Sequence, residues 1–160
     1  MARDAAIFHG HMGEPIDHVD VIIVGAGISG IGAGCHLQDK CPDRRFLILE
    51  GRNVLGGTWD LFRYPGVRSD SDMHTLGYSF RPWDGAKSIT DGASILTYLE
   101  QTAADHNLGQ HIRFQHHVRS ASWSSIANRW TLEVARSDEA DLITYSCAFL
   151  LICAGYYNYE

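Results

Sequence analysis

The regular part of the chain starts with a short apolar run, Val21 to Val24, which leads into a glycine-rich segment and then a helical stretch. The run is too short for a helix and apolar at every position, as is typical of a strand buried on both faces of a parallel sheet. A second strand is predicted at 45–50, and the helix between the two is predicted to end near Gln38, before Pro42. This order of elements predicts an α/β domain.

The pattern after the second strand is mixed. An ordered loop is predicted at 58–72, a short helix at 72–80, and a clearer amphipathic helix from Ser94 to Asp105, with Asp91 or Ser94 as its cap. Short strand candidates follow at 112–114, 118–123, 130–134 and 142–145. Turn-like segments separate the last three, which indicates an antiparallel meander. The apolar run 149–153 predicts one more buried strand.

Composition and charge narrow the class of protein. The chain has 160 residues, of which 45% are hydrophobic and 20% are charged, and this fits a single globular domain. Residues 1–18 show no periodicity and are predicted to form an unstructured leader, so the domain spans 19–160. Thirteen basic and nineteen acidic residues give a net charge of −6, and the basic residues are scattered. Nucleic acid and anionic lipid are therefore disfavoured as partners.

The sequence also bears on localisation and metal binding. Its apolar runs fall far short of the ~20 residues that a membrane helix needs, and residues 1–18 lack the apolar stretch of a secretory signal. We therefore expect a cytoplasmic protein with no membrane span. The four cysteines fit a reducing compartment and form no C-x-x-C pair, so no metal site is predicted.

The glycine loop after the first strand has the spacing G-x-G-x-x-G, in the strand-to-helix context that gives this motif its meaning. Gly25 would permit the tight turn, Gly27 the close approach of a pyrophosphate, and Gly30 close packing of the helix. Glu50 ends the next strand, twenty residues after Gly30 (50 − 30), where a carboxylate binds a ribose diol. Because that carboxylate would repel a 2′-phosphate, FAD or NAD is favoured over NADP. The alternative is a glycine-rich turn that merely connects two strands.

Two further glycines, Gly32 and Gly34, fall inside the predicted helix. Each costs about 1 kcal/mol relative to alanine in a helix interior, and neither belongs to the loop motif. We therefore expect another part of the chain to pack closely against this helix.

The segment that follows Glu50 distinguishes FAD from NAD. A domain that binds only NAD would continue into a helix and a strand, whereas this segment is aromatic and glycine-rich. It matches G-x-W-x-x-x-x-[F/Y]-P-[G/M]-x-x-x-D at Gly57, Trp59, Tyr64, Pro65, Gly66 and Asp70. In these residues and in the glycine loop, the chain resembles the Baeyer–Villiger monooxygenases, a family of class B flavin monooxygenases, over 19–160.

The resemblance implies a fold and a set of cofactor contacts. The fold would be a Rossmann-like FAD-binding domain, with a parallel sheet, helices and an antiparallel β-meander insertion, taken from a flavoprotein with two dinucleotide-binding domains. Glu50 would bind the adenosine ribose of FAD, and the backbone of Val118 would meet the adenine. The residues expected at the pyrophosphate are Gly25, Gly27, Ser29 and Gly30. Those expected near the flavin are Gly57, Thr58 and Trp59.

The resemblance also implies a role for Asp70, which corresponds to the acid that hydrogen-bonds the catalytic arginine of the family. Asp70 is therefore the one catalytic candidate in this chain, and it is also counted among the cofactor-binding residues. The arginine itself, and the second glycine motif that binds NADPH, have no counterpart in this sequence. Other readings remain open. Trp59 and Tyr64 would also serve as ordinary aromatic anchors of a loop. Asp70 would also suit the cap of the short helix that follows, a position for which Ser69 and Asp72 compete.

In a complete enzyme of this family, NADPH and O₂ are consumed while a ketone becomes an ester or a sulfide or thioamide is oxygenated at sulfur. We expect this chain to supply the FAD-binding portion and to show no turnover alone, with a complementary downstream chain as its partner. Two alternatives are a non-catalytic module that binds FAD or ADP, and the product of a truncated gene.

Overall fold

The structure is a computed structural model that describes residues 17–136 and 142–157. The strands are β1 (Asp17–Val24), β2 (Phe46–Leu49), β3 (Ile112–Arg113), β4 (His116–Ser124), β5 (Arg129–Arg136) and β6 (Leu142–Ile152). The helices are α1 (Ile28–Lys40), α2 (Thr58–Leu61), α3 (Met73–Leu76) and α4 (Gly92–Asp105), with a 3-10 turn at Leu108–Gln110. In the described part of the chain, no helix is long and apolar enough to cross a membrane.

The six strands form one sheet in the order β3-β2-β1-β6-β5-β4. Strands β3, β2, β1 and β6 run parallel to one another, and α1 makes the crossover between β1 and β2. Ile22 and Ile23 of β1 have no solvent exposure, and all four residues of β2 are buried. The prediction that β1 and β2 are parallel strands buried on both faces is confirmed. Helix α1 packs on one face, and a second core cluster lies on the other.

The second face is covered by the meander. Strands β4, β5 and β6 pair antiparallel, as predicted. The sheet curls so that Leu132 and Val134 of β5 pack in one core cluster with Leu47 and Leu49 of β2. The opposite face carries a separate cluster that includes Ile31 of α1. The domain therefore has two cores, one on each side of the parallel strands.

Strand β6 corrects the sequence analysis, which predicted separate strands at 142–145 and 149–153. A single strand of 11 residues is present, because its first half pairs with β5 up to Cys147 while its later part pairs with β1. Its second half is also less buried than predicted. Phe149 and Ile152 are 60% and 66% exposed, because no described element packs over them.

The start of β1 differs from the predicted boundary at residue 18. Asp17 and His18 belong to β1, where they pair with Tyr145 and Ser146 of β6. The His18 ring nitrogen Nδ1 also lies 2.8 Å from the Ser146 hydroxyl. This pairing extends the strand beyond the apolar run from which it was predicted. The rest of the predicted leader, 1–16, lies outside the described residues.

Helix α4 and the loop before it form a third packed unit. Asp91 is the N-cap, and its Oδ1 accepts the N–H of Ser94 at 2.9 Å. Ile95 and Leu99 are fully buried against Met73 of α3. The predicted helix is thus confirmed and starts two residues earlier. The helix predicted at 72–80 is only one turn long, and the loop predicted at 58–72 contains the single turn α2.

Close packing accounts for the two glycines inside α1. A Cβ on Gly32 would lie 2.8 Å from Cε1 of Tyr78, and a Cβ on Gly34 would lie 3.1 Å from Cδ1 of Ile48. The Tyr78 hydroxyl donates a hydrogen bond to the carbonyl oxygen of Ile28 at 2.5 Å, which fixes the ring on the helix. The expected close neighbour of α1 is therefore present on both sides.

Candidate functional site

A groove of about 760 Å³ opens at the carboxyl ends of β1, β2 and β6. This edge of a parallel α/β sheet is where such folds bind ligands. Its walls come from the segments 24–29, 49–52, 56–59, 116–119 and 152–156. The predicted site residues that line it are Gly25, Gly27, Ser29, Glu50, Gly57, Thr58, Trp59 and Val118. Gly30 and Asp70 are not in the lining.

The glycine loop forms one end of α1. Gly25 has a φ of +104°, and a Cβ there would lie 2.6 Å from the carbonyl oxygen of Cys153, so glycine is required on two grounds. Gly30 lies behind the loop, where a Cβ would overlap the carbonyl oxygen of Gly25. Gly27 is the N-cap of α1, which has no side-chain cap and no acidic residue in its first turn. The free N–H groups and the positive end of the helix dipole are thus available to an anion.

Glu50 lies beside this loop at the end of β2 and is only 8% exposed. Its Oε2 accepts the N–H of Ala26 at 2.7 Å, and its Oε1 accepts the N–H of Arg52 at 2.9 Å. Its backbone is held by β4, since the N–H of His116 donates to the Glu50 carbonyl oxygen at 2.8 Å. The carboxylate is therefore fixed in the wall of the groove.

A second glycine turn packs against the first. The N–H of Gly56 donates to the carbonyl oxygen of Ala26 at 3.0 Å, and Gly56 and Gly57 have φ values of +113° and +52°. A Cβ on Gly57 would lie 3.2 Å from Cα of Gly27. The two turns are in close backbone contact, and a side chain on Gly57 would push them apart.

Several residues in or beside this groove were not predicted from the sequence. The Arg52 guanidinium pairs with Asp60 and lies 3.5 Å from the carbonyl oxygen of Gly57. Asp60 also pairs with Arg63. A glycine pair such as Gly56-Gly57 is a signal for positive φ and marks this turn, whereas nothing local in the sequence indicates the contact of Arg52 with Asp60.

Residues 116–119 of β4 form another part of the groove wall. Val118 lines it and is half-buried against the second core cluster. His117 and Arg119 flank it there, and neither is among the predicted site residues. Arg52 and Arg119 thus both line the groove, and basic side chains suit a ligand that carries a diphosphate.

Trp59 and Tyr64, the two aromatic candidates, have different surroundings. Trp59 lines the groove and also packs against the cluster around Ile95, as an aromatic anchor of the loop would. Tyr64 is 59% exposed and contacts the ring of Phe62 at a centroid distance of 6.3 Å. It is therefore not a buried anchor of this loop.

Asp70 is exposed and lies outside the groove lining. The alternative role as a helix cap is wrong, because Asp72 is the N-cap of α3 and its Oδ1 accepts the N–H of Thr75 at 2.9 Å. The negative charge of Asp70 contributes to a raised pKa of the Tyr157 hydroxyl, after the larger effect of the hydrogen bond with Tyr156. Asp70 thus lies near the aromatic residues that follow β6.

The groove has the chemistry of a binding site. Among the described residues that line it, Cys153 is the only thiol, and burial raises its pKa, so it stays protonated near neutral pH. The lining combines apolar side chains such as Ile28 and Trp59 with the backbone of two glycine turns and the fixed carboxylate of Glu50. Backbone N–H groups and a carboxylate recognise diphosphates and sugar hydroxyls by hydrogen bonding.

Comparison with known proteins agrees with this description. The sequence model for NAD(P)-binding Rossmann-like domains matches residues 23–85. The chain is 56% identical over 144 residues to the FAD-containing monooxygenase EthA of Mycobacterium tuberculosis, covering 90% of this chain and 29% of EthA. It is 50% identical over 143 residues to the putative FAD-containing monooxygenase MymA of the same organism, covering 89% of this chain and 29% of MymA. The chain thus spans about 29% of the length of these relatives.

Solved structures extend the likeness to the fold. Cyclohexanone monooxygenase from Rhodococcus sp. Phi1, bound to NADP+, superposes with a TM-score of 0.77 at 27% identity. The match covers 91% of this chain and 28% of that enzyme. The fold is accordingly Rossmann-like, with a mixed sheet and helices, and the structural neighbours are Baeyer–Villiger monooxygenases.

Proposed function

We propose that this chain, whose close homologues are FAD-containing monooxygenases, forms the N-terminal FAD-binding portion of an NADPH-dependent flavin monooxygenase. The observation that carries the proposal is the meeting of three features in one groove: the glycine loop at the uncapped end of α1, the fixed carboxylate of Glu50, and the turn at Gly57. In this proposal, residues 19–160 are part of one FAD-binding domain.

The residues present fit FAD. We assign the pyrophosphate to the loop at Gly25, Gly27 and Ser29, with Gly30 supporting it from behind. The support is that a Cβ at Gly27 would meet only Cα of Gly57, at 3.7 Å, so the space beside the loop belongs to the groove. The flavin side is assigned to Gly57, Thr58 and Trp59.

The adenosine side supports FAD over a 2′-phosphorylated nucleotide. We assign the ribose hydroxyls to Glu50 and the adenine to the backbone of Val118, both of which line the groove. A buried carboxylate repels a 2′-phosphate and accepts hydrogen bonds from a diol. NADPH is therefore assigned to a part of the enzyme other than this groove.

When bound, FAD supplies the redox chemistry, while the residues of this chain bind it, orient it and exclude water. We propose that the whole enzyme acts with O₂ on a small-molecule ketone, sulfide or thioamide. In that enzyme, Asp70 would position an arginine from another part of the polypeptide. A cytoplasmic location is part of the proposal, and the four free cysteines support it.

A direct test is titration of the purified chain with FAD and with ADP, followed by flavin fluorescence and calorimetry. The informative variant is Gly27→Ala. Gly27 has an extended backbone, and the added methyl group meets nothing closer than 3.7 Å, so the fold should accept it. The methyl group would occupy the space that the pyrophosphate needs, and we expect FAD binding to weaken at least ten-fold, about 1.4 kcal/mol.

Gly109→Ala is the matched control, because a Cβ there meets nothing within 4 Å and the residue lies in the 3-10 turn, outside the groove lining. Gly109→Ala should unfold at or slightly above the wild-type temperature, and Gly27→Ala should lose no more than about 1 kcal/mol, because alanine is a poorer N-cap than glycine. Saturable binding of ADP and FAD that Gly27→Ala leaves intact would contradict the assignment of the pyrophosphate. Absence of binding to either nucleotide by the wild-type chain would contradict the proposed function.

A further inference from the structure

Both oxygens of the Glu50 carboxylate have backbone partners within the chain. The N–H of Ala26 donates to Oε2 at 2.7 Å, and the N–H of Arg52 donates to Oε1 at 2.9 Å. Since Ala26 lies in the glycine loop and Arg52 in the turn after β2, one side chain joins the two segments. Both hydrogen bonds of this connection lie within the chain.

Ala26 is the centre of a longer connection. It is fully buried, and its carbonyl oxygen accepts the N–H of Gly56 from the second glycine turn at 3.0 Å. Water has no access to replace a lost partner at such a position, so a buried N–H without an acceptor is costly. If the Glu50 carboxylate were removed, the glycine loop would have to shift until the Ala26 N–H reached solvent or another acceptor.

The same carboxylate still has room for a ligand. An ionised carboxylate offers about four acceptor positions on its two oxygens, and the backbone N–H groups occupy two of them. The two that remain are enough for the two hydroxyls of a ribose. Internal and ligand contacts of Glu50 are therefore compatible.

We propose that Glu50 is a positioning residue of the glycine loop, whose carboxylate holds Ala26 and Arg52 in the nucleotide-binding arrangement before a nucleotide arrives. The ribose contact is then a second task of the same side chain. The inference rests on the proposed function only where it concerns the nucleotide, because the backbone contacts are internal to the chain.

Glu50→Gln separates the two tasks. A glutamine amide has one acceptor oxygen and one donor NH₂ group. It can accept a hydrogen bond from one of the two backbone N–H groups, but its NH₂ group would then face the other N–H, donor against donor. It still offers hydrogen bonds to a ribose hydroxyl. In the nucleotide-free chain we expect hydrogen exchange at the Ala26 or Arg52 amide to accelerate at least about ten-fold. Exchange at the amides of Ile22 and Ile48 in the central strands should not change.

The matched control is Glu133→Gln on β5. Glu133 is exposed and accepts a hydrogen bond from the Ser120 hydroxyl, so it has the same chemistry without a buried backbone partner. This variant should leave all four amides at wild-type rates. A local effect confined to Ala26 and Arg52 supports positioning, and unchanged exchange at both amides overturns the proposal.

Binding gives the second readout. The probes are ADP and 2′,3′-dideoxy-ADP, which lacks the hydroxyls that Glu50 would bind. We expect Glu50→Gln to weaken dideoxy-ADP at least about five-fold, because a displaced loop affects any diphosphate. Weakening of ADP alone would assign Glu50 only to the ribose and overturn the proposal.

If Glu50→Gln fails to fold, the wild-type chain still decides. Slow exchange of the Ala26 and Arg52 amides without nucleotide supports the proposal, and exchange of both at the rate of open loops overturns it. If the wild-type chain binds neither FAD nor ADP, the proposed function fails while the exchange result stands. The two failures are therefore distinguishable.

Discussion

Gly32 is a residue with low helix propensity that is required in α1 because Tyr78 packs against it. Alanine at this position would favour α1 by about 1 kcal/mol, yet its methyl group would lie 2.8 Å from the ring of Tyr78. That ring cannot retreat freely, because the Tyr78 hydroxyl is bonded to Ile28 and its backbone N–H donates to the Tyr98 hydroxyl at 2.8 Å. The contact therefore outweighs the helix propensity.

We expect Gly32→Ala to destabilise the chain by about 1–3 kcal/mol, the usual cost of overpacking. Urea denaturation followed by circular dichroism measures this. Gly109→Ala, with open space around the new methyl group, serves as the control and should stay within about 0.5 kcal/mol of wild type. Equal stability of the two variants would contradict the argument, since it would mean that Tyr78 moves without cost.

At the residue scale, a residue of the groove could be predicted from the sequence when its own backbone conformation requires one residue type. Gly25 is such a position, because its φ of +104° and its contact with Cys153 both require glycine. The sequence did not predict Arg52 or the internal bonds of Glu50. Those contacts depend on how β2, α2 and the glycine loop meet in space, and no spacing along the chain encodes that meeting.

At the scale of elements, α4 depends on its first residue. Its N-cap Asp91 accepts the N–H of Ser94, and this bond is the main reason why the pKa of the Asp91 carboxyl is lowered. A carboxylate with a lowered folded-state pKa stabilises the protein above its unfolded-state pKa. That contribution is lost as the pH falls through the folded-state pKa.

Asp91→Ala should therefore cost about 1 kcal/mol at neutral pH, as loss of an N-cap usually does. The difference from wild type should shrink below the ordinary aspartate pKa of 3.8. Thermal denaturation between neutral pH and pH 3 measures it. Asp91→Asn keeps an acceptor for the Ser94 N–H, so it should retain most of the stability while losing the pH dependence. A loss with Asp91→Asn as large as with Asp91→Ala would show that the acceptor is not the cause.

Elements with a strong periodic signal could be predicted from the sequence, and those fixed by distant partners could not. α4 has a side-chain N-cap, and both α1 and α4 are long enough and have enough buried apolar residues to be predicted from the sequence pattern. β6 extends without interruption from Leu142 to Ile152 only because two different strands pair with its two halves. The single turn α2 is fixed by its contacts with α4, which follows it in the chain.

At the scale of the whole molecule, the same division holds for the two cores. The buried parallel strands predict that both faces are covered, and this is correct. What covers the second face is the curled meander, through Leu132 and Val134, and the sequence pattern does not distinguish that arrangement from a layer of helices. The curl is a property of the assembled sheet.

The last whole-molecule feature is the second half of β6. Among the described residues, no strand pairs with Ala148–Ile152 on the side away from β1, and Phe149 and Ile152 are 60% and 66% exposed. An open apolar strand is a template for pairing with another chain, and a lysine on such a strand blocks it. We expect the isolated chain to associate as its concentration rises and Phe149→Lys to reduce this, measured by sedimentation velocity. Ile126→Lys, in the β4–β5 turn at 99% exposure, should associate like wild type. A wild-type chain that stays monomeric at every concentration tested would show that the exposed half of β6 does not mediate association.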